Sequence, residues 1–277
     1  MPSPGTPASP DQRQSARADG GVTVVLVHGA FADASGWNGV IAALQQRGHT
    51  VVAPPNPLRG LAADSAYIGG VLGQIDGPVL LVGHSYGGAV ITNAAATAPN
   101  VLGLVYVAGF APDEGEVLGA VASGSKDSVL NSALVPRRYP TGQAGETATE
   151  FGIDPSQFHD TFAADLPADL TAVMAATQRP IAEAAFTDPS GPPAWKRLPC
   201  WAVVTSGDLT IGTDLVRRMA QRAGARIEEL EGSHVIMISR PDDVTEVILT
   251  ALEAVAKAGA DLPAPRRAQE EASRQMT

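Results

Sequence analysis

Val79-Leu80-Leu81-Val82-Gly83-His84-Ser85-Tyr86-Gly87-Gly88-Ala89-Val90-Ile91 is the stretch on which the reading of this chain turns. Its first four residues are apolar and read as a buried strand, Gly83-His84-Ser85-Tyr86-Gly87 is a G-x-S-x-G turn, and Gly88 opens a helix of small residues. A serine forced into so sharp a strand-to-helix turn takes strained backbone angles, and glycines two positions to either side remove the Cβ atoms that would collide. The hydroxyl of Ser85 is thereby held out above the sheet. The amide of Tyr86 falls at a helix N-terminus, where unpaired N–H groups and the helix dipole suit an oxyanion.

On the N-terminal side of this stretch, residues 22–27 form a β-branched run that stops at His28-Gly29-Ala30-Phe31, a strand ending in a tight loop. Ser35-Gly36-Trp37 leads into a helix with Val40, Ile41 and Leu44 on one face, closed by Gly48. Residues 49–53 read as a strand halted by Pro54-Pro55-Asn56-Pro57, and 63–72 as a helix. On the C-terminal side the alternation continues with a strand at 102–108, breaks off, and resumes with a strand at 201–205, a helix at 214–223 and a strand at 226–230. A last helix starts at Pro241, with the acids Asp242 and Asp243 in its first turn. Its stripe of Val244, Val247, Ile248, Ala251, Leu252 and Val255 has helical spacing. Strand and helix in alternation predict a doubly wound, mainly parallel sheet with right-handed crossovers. Between 111 and 195 the sequence is Ala-rich and broken by prolines, which predicts an inserted helical cap.

A chain of 277 residues with 44% hydrophobic content suits one large α/β domain, here 21–260, between a disordered tail at 1–20 and a polar tail at 261–277. The net charge of −10 argues against a nucleic-acid partner, which requires a basic face. No apolar run is long enough to span a membrane, and residues 1–20 lack the apolar segment of a signal peptide, so the expected location is cytoplasmic. The single cysteine, Cys200, opens an apolar strand and reads as a buried, inert thiol. A small-molecule substrate is the expected partner, and homo-oligomerisation is left open.

A serine hydroxyl is a poor nucleophile at neutral pH, so a histidine has to take its proton and an acid has to orient that histidine. Of five histidines, His49 opens a strand, His84 lies within the turn and is expected to point away from Ser85, His159 is in the cap, and His28 is expected to brace its own loop. His234, in Glu231-Gly232-Ser233-His234, follows the last strand at the same edge of a parallel sheet as Ser85. That placement makes it the candidate base. By the same logic Asp208, in Thr205-Ser206-Gly207-Asp208, is the candidate acid. Two alternatives stay open: Asp208 as a turn-capping residue, and Asp113, after the strand that follows the serine, as the acid.

The order Ser85, Asp208, His234 is that of the α/β-hydrolase fold. The chain resembles that superfamily, and within it the branch with plant methylesterases and hydroxynitrile lyases. The resemblance is carried by Val25-Leu26-Val27-His28-Gly29-Ala30 with Trp37, by Val82-Gly83-His84-Ser85-Tyr86-Gly87-Gly88, and by Ser233-His234-Val235-Ile236-Met237-Ile238-Ser239-Arg240-Pro241. It spans residues 22 to about 257. It implies that the Ala30 amide joins that of Tyr86 as an oxyanion donor and that no metal or organic cofactor is needed. Hydroxynitrile lyases of this branch carry a lysine just after the catalytic histidine, where this chain has Val235. Haloalkane dehalogenases and epoxide hydrolases use an aspartate nucleophile, where this chain has Ser85. The expected activity is hydrolysis of a small carboxylic ester or lactone. A ligand-binding receptor on the same fold and a cofactor-free haloperoxidase-like activity are the alternatives.

Overall fold

The computed structural model describes residues 21–260. The tails expected at 1–20 and 261–277 lie outside the described residues. The central sheet is built from β1 (Thr23–Val27), β2 (Val51–Val52), β3 (Val79–His84) and β4 (Val101–Val107), and then from β8 (Cys200–Thr205) and β9 (Arg226–Leu230), which follow an insertion. Their order is β2-β1-β3-β4-β8-β9, and every neighbouring pair is parallel. Strands β1, β3 and β8 are buried along their whole length, as expected of apolar runs covered on both faces. The edge strand β9 exposes Arg226, Glu228 and Glu229, charges that discourage pairing with another edge. Strand β2 is shorter than its sequence suggests, because the prolines that follow cannot extend the ladder.

Helix α1 (Asn38–Gln46) connects β1 to β2, α2 (Leu61–Leu72) connects β2 to β3, and α3 (Tyr86–Ala94) connects β3 to β4. The first crossover runs one way along the sheet and the next two run the other way. The C-terminal ends of β1 and β3 therefore flank the point where the winding reverses, which is where open α/β sheets form a crevice. Ser85 follows β3 and the His28-Gly29-Ala30-Phe31 loop follows β1, so both stand at that crevice.

The insertion between β4 and β8 departs from the helical cap that its composition predicts. It contains short helices α4 (Leu118–Ala122), α5 (Leu130–Ala133), α6 (Phe158–Phe162), α7 (Ala168–Thr177) and α8 (Ala184–Thr187), but also an antiparallel sheet. That sheet comprises β5 (Leu134–Pro140), β6 (Thr147–Ile153) and β7 (Ile181–Ala182), in the order β5-β6-β7. Pro136 and Pro140 hide β5 from a reading by composition, yet an edge strand tolerates residues that donate no ladder hydrogen bond. The remaining helices are α9 (Thr213–Arg222), α10 (Ile236–Ser239) and α11 (Pro241–Ala260). Helix α11 buries Val244, Ile248, Ala251, Leu252 and Val255, and it packs against α1 and the middle of the sheet.

Candidate active site

Ser85 has φ 54° and ψ −125°, a left-handed conformation that costs a non-glycine residue on the order of 1–3 kcal/mol and persists only where neighbours enforce it. They do so from both sides. The Ser85 amide donates to the Val107 carbonyl at 3.2 Å, and its own carbonyl accepts from the amides of Gly88 (2.9 Å) and Phe110 (3.1 Å). A Cβ on Gly83 would come within 2.5 Å of the Gly87 carbonyl oxygen, so the first glycine of the motif is a steric requirement. Across the crevice a Cβ on Gly29 would fall 2.6 Å from the Ser85 Cβ, so a side chain there would displace Ser85.

The loop after β1 is held by His28. The Asn56 amide donates to His28 Nε2 at 2.9 Å, so the ring proton is on Nδ1, which donates to the Gly29 carbonyl at 2.9 Å. The Asn56 side chain closes the bracket by donating to the His28 carbonyl at 3.0 Å. Burial pulls the imidazole below its ordinary pKa, which keeps it in this neutral form. His28 therefore braces the loop, as the sequence suggests. The amides of Ala30 and Tyr86 have no acceptor among the described residues, whereas the next amide, Phe31 N–H, is committed to the Arg179 carbonyl at 3.1 Å.

His234 and Asp208 are brought together. Nδ1 of His234 donates to Oδ2 of Asp208 at 2.9 Å, and both side chains are fully buried. The other carboxylate oxygen, Oδ1, accepts from the amides of Thr210 (2.8 Å) and Ile211 (2.9 Å). Burial alone would raise the carboxyl pKa, but the charge and hydrogen bond of His234 and these two amides outweigh it and hold Asp208 ionised. With Nδ1 occupied as a donor, the lone pair of His234 lies on Nε2, a buried nitrogen with no partner among the described residues. Asp113 is elsewhere. Its carboxylate pairs with Lys196 Nζ at 2.5 Å and accepts the Glu114 amide at 2.7 Å. His159 pairs with Asp160 on the surface.

Two residues serve His234 without having been picked out from the sequence. The first is His84, whose Nε2 donates to the His234 carbonyl at 3.0 Å, with the two rings 4.7 Å apart. Burial, and after it the charge of His234, push the His84 pKa well down, so the ring stays neutral beside His234. Its position in the middle of the G-x-S-x-G motif was the available signal. The second is Asp165, in the insertion, which accepts from the Ser233 amide (2.9 Å), from the Ser233 hydroxyl, and from the Ser239 hydroxyl (2.7 Å).

The Asp165 clamp leads to a prediction. Burial pushes its carboxyl pKa up, but the hydrogen bonds from Ser233 and Ser239 prevail and hold it below its ordinary 3.8. A depressed carboxyl pKa gives stability that is complete above the ordinary value and is lost as pH falls through the lower folded value. Asp165→Ala should thus flatten the loss of thermal stability as pH falls below the ordinary carboxylate value. At neutral pH, where the His234 loop is loosened, it should cut kcat by roughly ten- to a hundredfold with little change in KM. Melting curves over pH and steady-state kinetics check the two halves.

Asp165 is one of several ties between the insertion and the loops at the sheet's edge. The Arg179 carbonyl holds the Phe31 amide, and the Thr161 carbonyl accepts the Thr210 hydroxyl at 2.7 Å, two residues past Asp208. Below the insertion lies a cavity of about 370 Å³. Ala30, Phe31, Ser85 and Tyr86 line it, together with Val117, Leu130, Leu134, Phe151 and Phe186 of the insertion. Tyr86 is fixed in it by donating its hydroxyl to buried Asp64 at 2.7 Å. Such a space suits an apolar group of moderate size whose reactive carbon lies at Ser85.

Comparison with known proteins agrees with this fold. A carbendazim hydrolyzing esterase from Nocardioides sp. (strain SG-4G) is 33% identical over 164 residues, 54% of this chain and 62% of that protein. The match thus spans less than two thirds of the relative's length. Among solved structures, polyneuridine aldehyde esterase superposes with a TM-score of 0.71 at 19% identity, covering 83% of this chain and 99% of that one. The pyrethroid hydrolase of Sphingobium faniae JZ-2 gives 0.69 at 19% identity, covering 85% and 99%. Tomato methylketone synthase I, as its T18A mutant, gives 0.70 at 20% identity, covering 85% and 99%. At such identities these structures speak for the fold. A family model described as the alpha/beta hydrolase family matches residues 24–247, which takes in the serine elbow, the Asp208 loop and the His234 loop, and by that match the chain belongs to the alpha/beta hydrolase family.

Proposed function

We propose that the protein hydrolyses a small carboxylic ester or lactone through an acyl-enzyme on Ser85. The observation that carries this reading is the buried Asp208–His234 pair, with a bare Nε2, at the same sheet edge as a serine in a left-handed elbow and two amides without acceptors. Ser85 Oγ attacks the carbonyl carbon while its proton passes to His234 Nε2, and Asp208 stabilises the resulting imidazolium. The oxyanion is held by the amides of Ala30 and Tyr86. Collapse of the tetrahedral intermediate breaks the bond to the alcohol oxygen, which leaves with the proton from His234. A water molecule then gives its proton to His234, attacks the acyl carbon, and releases the acid and Ser85. This chemistry requires no metal or cofactor.

Cyanohydrin cleavage would require a fixed positive charge for departing cyanide, but the residues that follow His234 are Val235, Ile236 and Met237, all fully buried. The purified protein should turn over p-nitrophenyl acetate or butyrate and release no cyanide from mandelonitrile above the uncatalysed rate. The ester panel should include carbendazim and a pyrethroid, the compounds for which similar proteins are named. Ser85-dependent cyanide release would overturn the hydrolase reading, and tight ligand binding without turnover of any ester or lactone would favour a receptor.

A further inference from the structure

The cavity at Ser85 carries a single acidic or basic side chain on its walls, Glu183. Most of its other polar groups are committed. The Tyr86 hydroxyl donates to Asp64 at 2.7 Å and the Ser128 hydroxyl to the Thr210 carbonyl at 2.6 Å. The Thr210 hydroxyl donates to the Thr161 carbonyl at 2.7 Å and the Thr187 hydroxyl to the Glu183 carbonyl at 3.2 Å. Besides Ser85, the lining side chains without a hydrogen-bond partner among the described residues are the Asn131 carboxamide and the Glu183 carboxylate. The fold sets Glu183 in place. Its amide donates to the Thr149 carbonyl of β6 at 3.0 Å, and its own carbonyl accepts from the Phe186 amide at 2.9 Å. It therefore stands where β7 passes into α8, beside Phe151, whose register partner is Ile181, and one helical turn before Phe186. Both rings line the same cavity and meet edge to face at 6.2 Å. The neighbouring acid on β6, Glu150, is paired with Arg59 at 2.7 Å, whereas Glu183 has no ion pair among the described residues.

We infer that Glu183 is a specificity-determining residue and that, with Phe151 and Phe186, it forms a subsite for a cation: a protonated amine or quaternary ammonium group that the substrate carries at a distance from its ester carbonyl. The inference rests on the ester-hydrolase reading, since Ser85 and Glu183 share one cavity. A methyl-clad ammonium lays its carbons on apolar walls and offers its charge to a carboxylate and to aromatic rings, the combination present here. An anionic group meets the opposite. It is repelled by Glu183, and the walls hold no lysine, arginine or histidine to offset that repulsion. Asn131 is neutral, can both donate and accept, and so does not discriminate by sign. The cavity's volume equals that of roughly twelve waters in the liquid, room for a short carbon chain that ends in such a group. Glu183 is exposed, so solvent and salt screen it and the preference is modest and salt-sensitive.

The test uses pairs of compounds that differ in one atom, charged nitrogen or neutral carbon, and reads the ratio of the charged to the neutral member. In a binding arm the full chain is titrated with choline and with 3,3-dimethylbutan-1-ol, neither of them an ester. Glu183→Gln should lower the ratio of their affinities about three- to tenfold, Glu183→Lys should lower it further, and Phe186→Leu should lower it about two- to fourfold. Glu253→Gln, which removes the same charge from α11, should leave it within about twofold. In a turnover arm the ratio is that of kcat/KM for methyl 4-(trimethylammonio)butanoate to methyl 5,5-dimethylhexanoate, and for 2-(trimethylammonio)ethyl acetate to 3,3-dimethylbutyl acetate. One of these ratios should fall by the same factor with Glu183→Gln, and the pair that responds identifies the half of the ester that the cavity holds. About 0.5 M sodium chloride should reduce the ratio in the unaltered protein and leave that of Glu183→Gln unchanged. No saturable binding of choline, or ratios that Glu183→Gln and Glu253→Gln change alike, would overturn the cation subsite whatever the turnover. A Glu183-dependent ratio in binding, in a protein that turns over none of the four esters, would instead overturn the hydrolase reading and leave the cation site standing.

Discussion

Replacing Ser85 by alanine should abolish labelling by a fluorophosphonate and lower kcat for ester hydrolysis by a factor on the order of 10⁶, with the melting temperature unchanged or raised. The loss follows from removing the atom proposed to form the acyl-enzyme. Stability is retained because the left-handed Ser85 is held by bonds through its amide and carbonyl, and it rises where removing a hydroxyl that has no partner among the described residues relieves a desolvation cost. His234→Ala should fall nearly as far in activity, because members of such a set act as a unit. A labelled protein that still reacts after Ser85→Ala, as read by peptide mapping, would move the nucleophile elsewhere.

Asp208→Asn should lower kcat by a factor on the order of 10⁴, and Asp113→Asn should be mild. The geometry supplies the reason. The amides of Thr210 and Ile211 both point at Oδ1, so an asparagine must place its carbonyl oxygen there and its NH₂ against His234. Nδ1 would then have to accept, the ring proton would move to Nε2, and the base would lose the lone pair that it needs. Asp113 faces Lys196, so its amide variant loses an ion pair at the surface and nothing at His234. Steady-state kinetics of the two variants rank them, and the reverse ranking would transfer the acid to Asp113.

The parallel sheet was legible because its strands are short apolar runs separated by helices with one apolar face, a pattern set by period and burial. The G-x-S-x-G turn was legible because its steric demands fall on neighbours in sequence. Asp208 and His234 could be placed because each follows a strand, and parallel strands bring such loops to one edge. The antiparallel sheet of the insertion escaped, since Pro136 and Pro140 mark non-strand sequence everywhere except at an edge. Asp165 escaped for another reason. It meets Ser233 across 68 residues, and no local pattern encodes that distance. The bond from His84 to the His234 loop escaped because its ring reaches a backbone carbonyl 150 residues away, a partner that carries no residue signature.

Ties from the insertion at Thr161, Asp165 and Arg179 reach the Asp208 loop, the His234 loop and the loop after β1 respectively. Selectivity and chemical competence are consequently inherited together in this chain. A chimera that imports a relative's insertion to change the cavity at Ser85 also imports new tethers for all three loops. Two of those tethers are backbone carbonyls, so matching side chains is not enough and the grafted segment must reproduce the path of the chain. Directed evolution of substrate range in this protein is better begun with point changes on the cavity walls, such as Leu134 and Phe186, than by exchange of the whole segment.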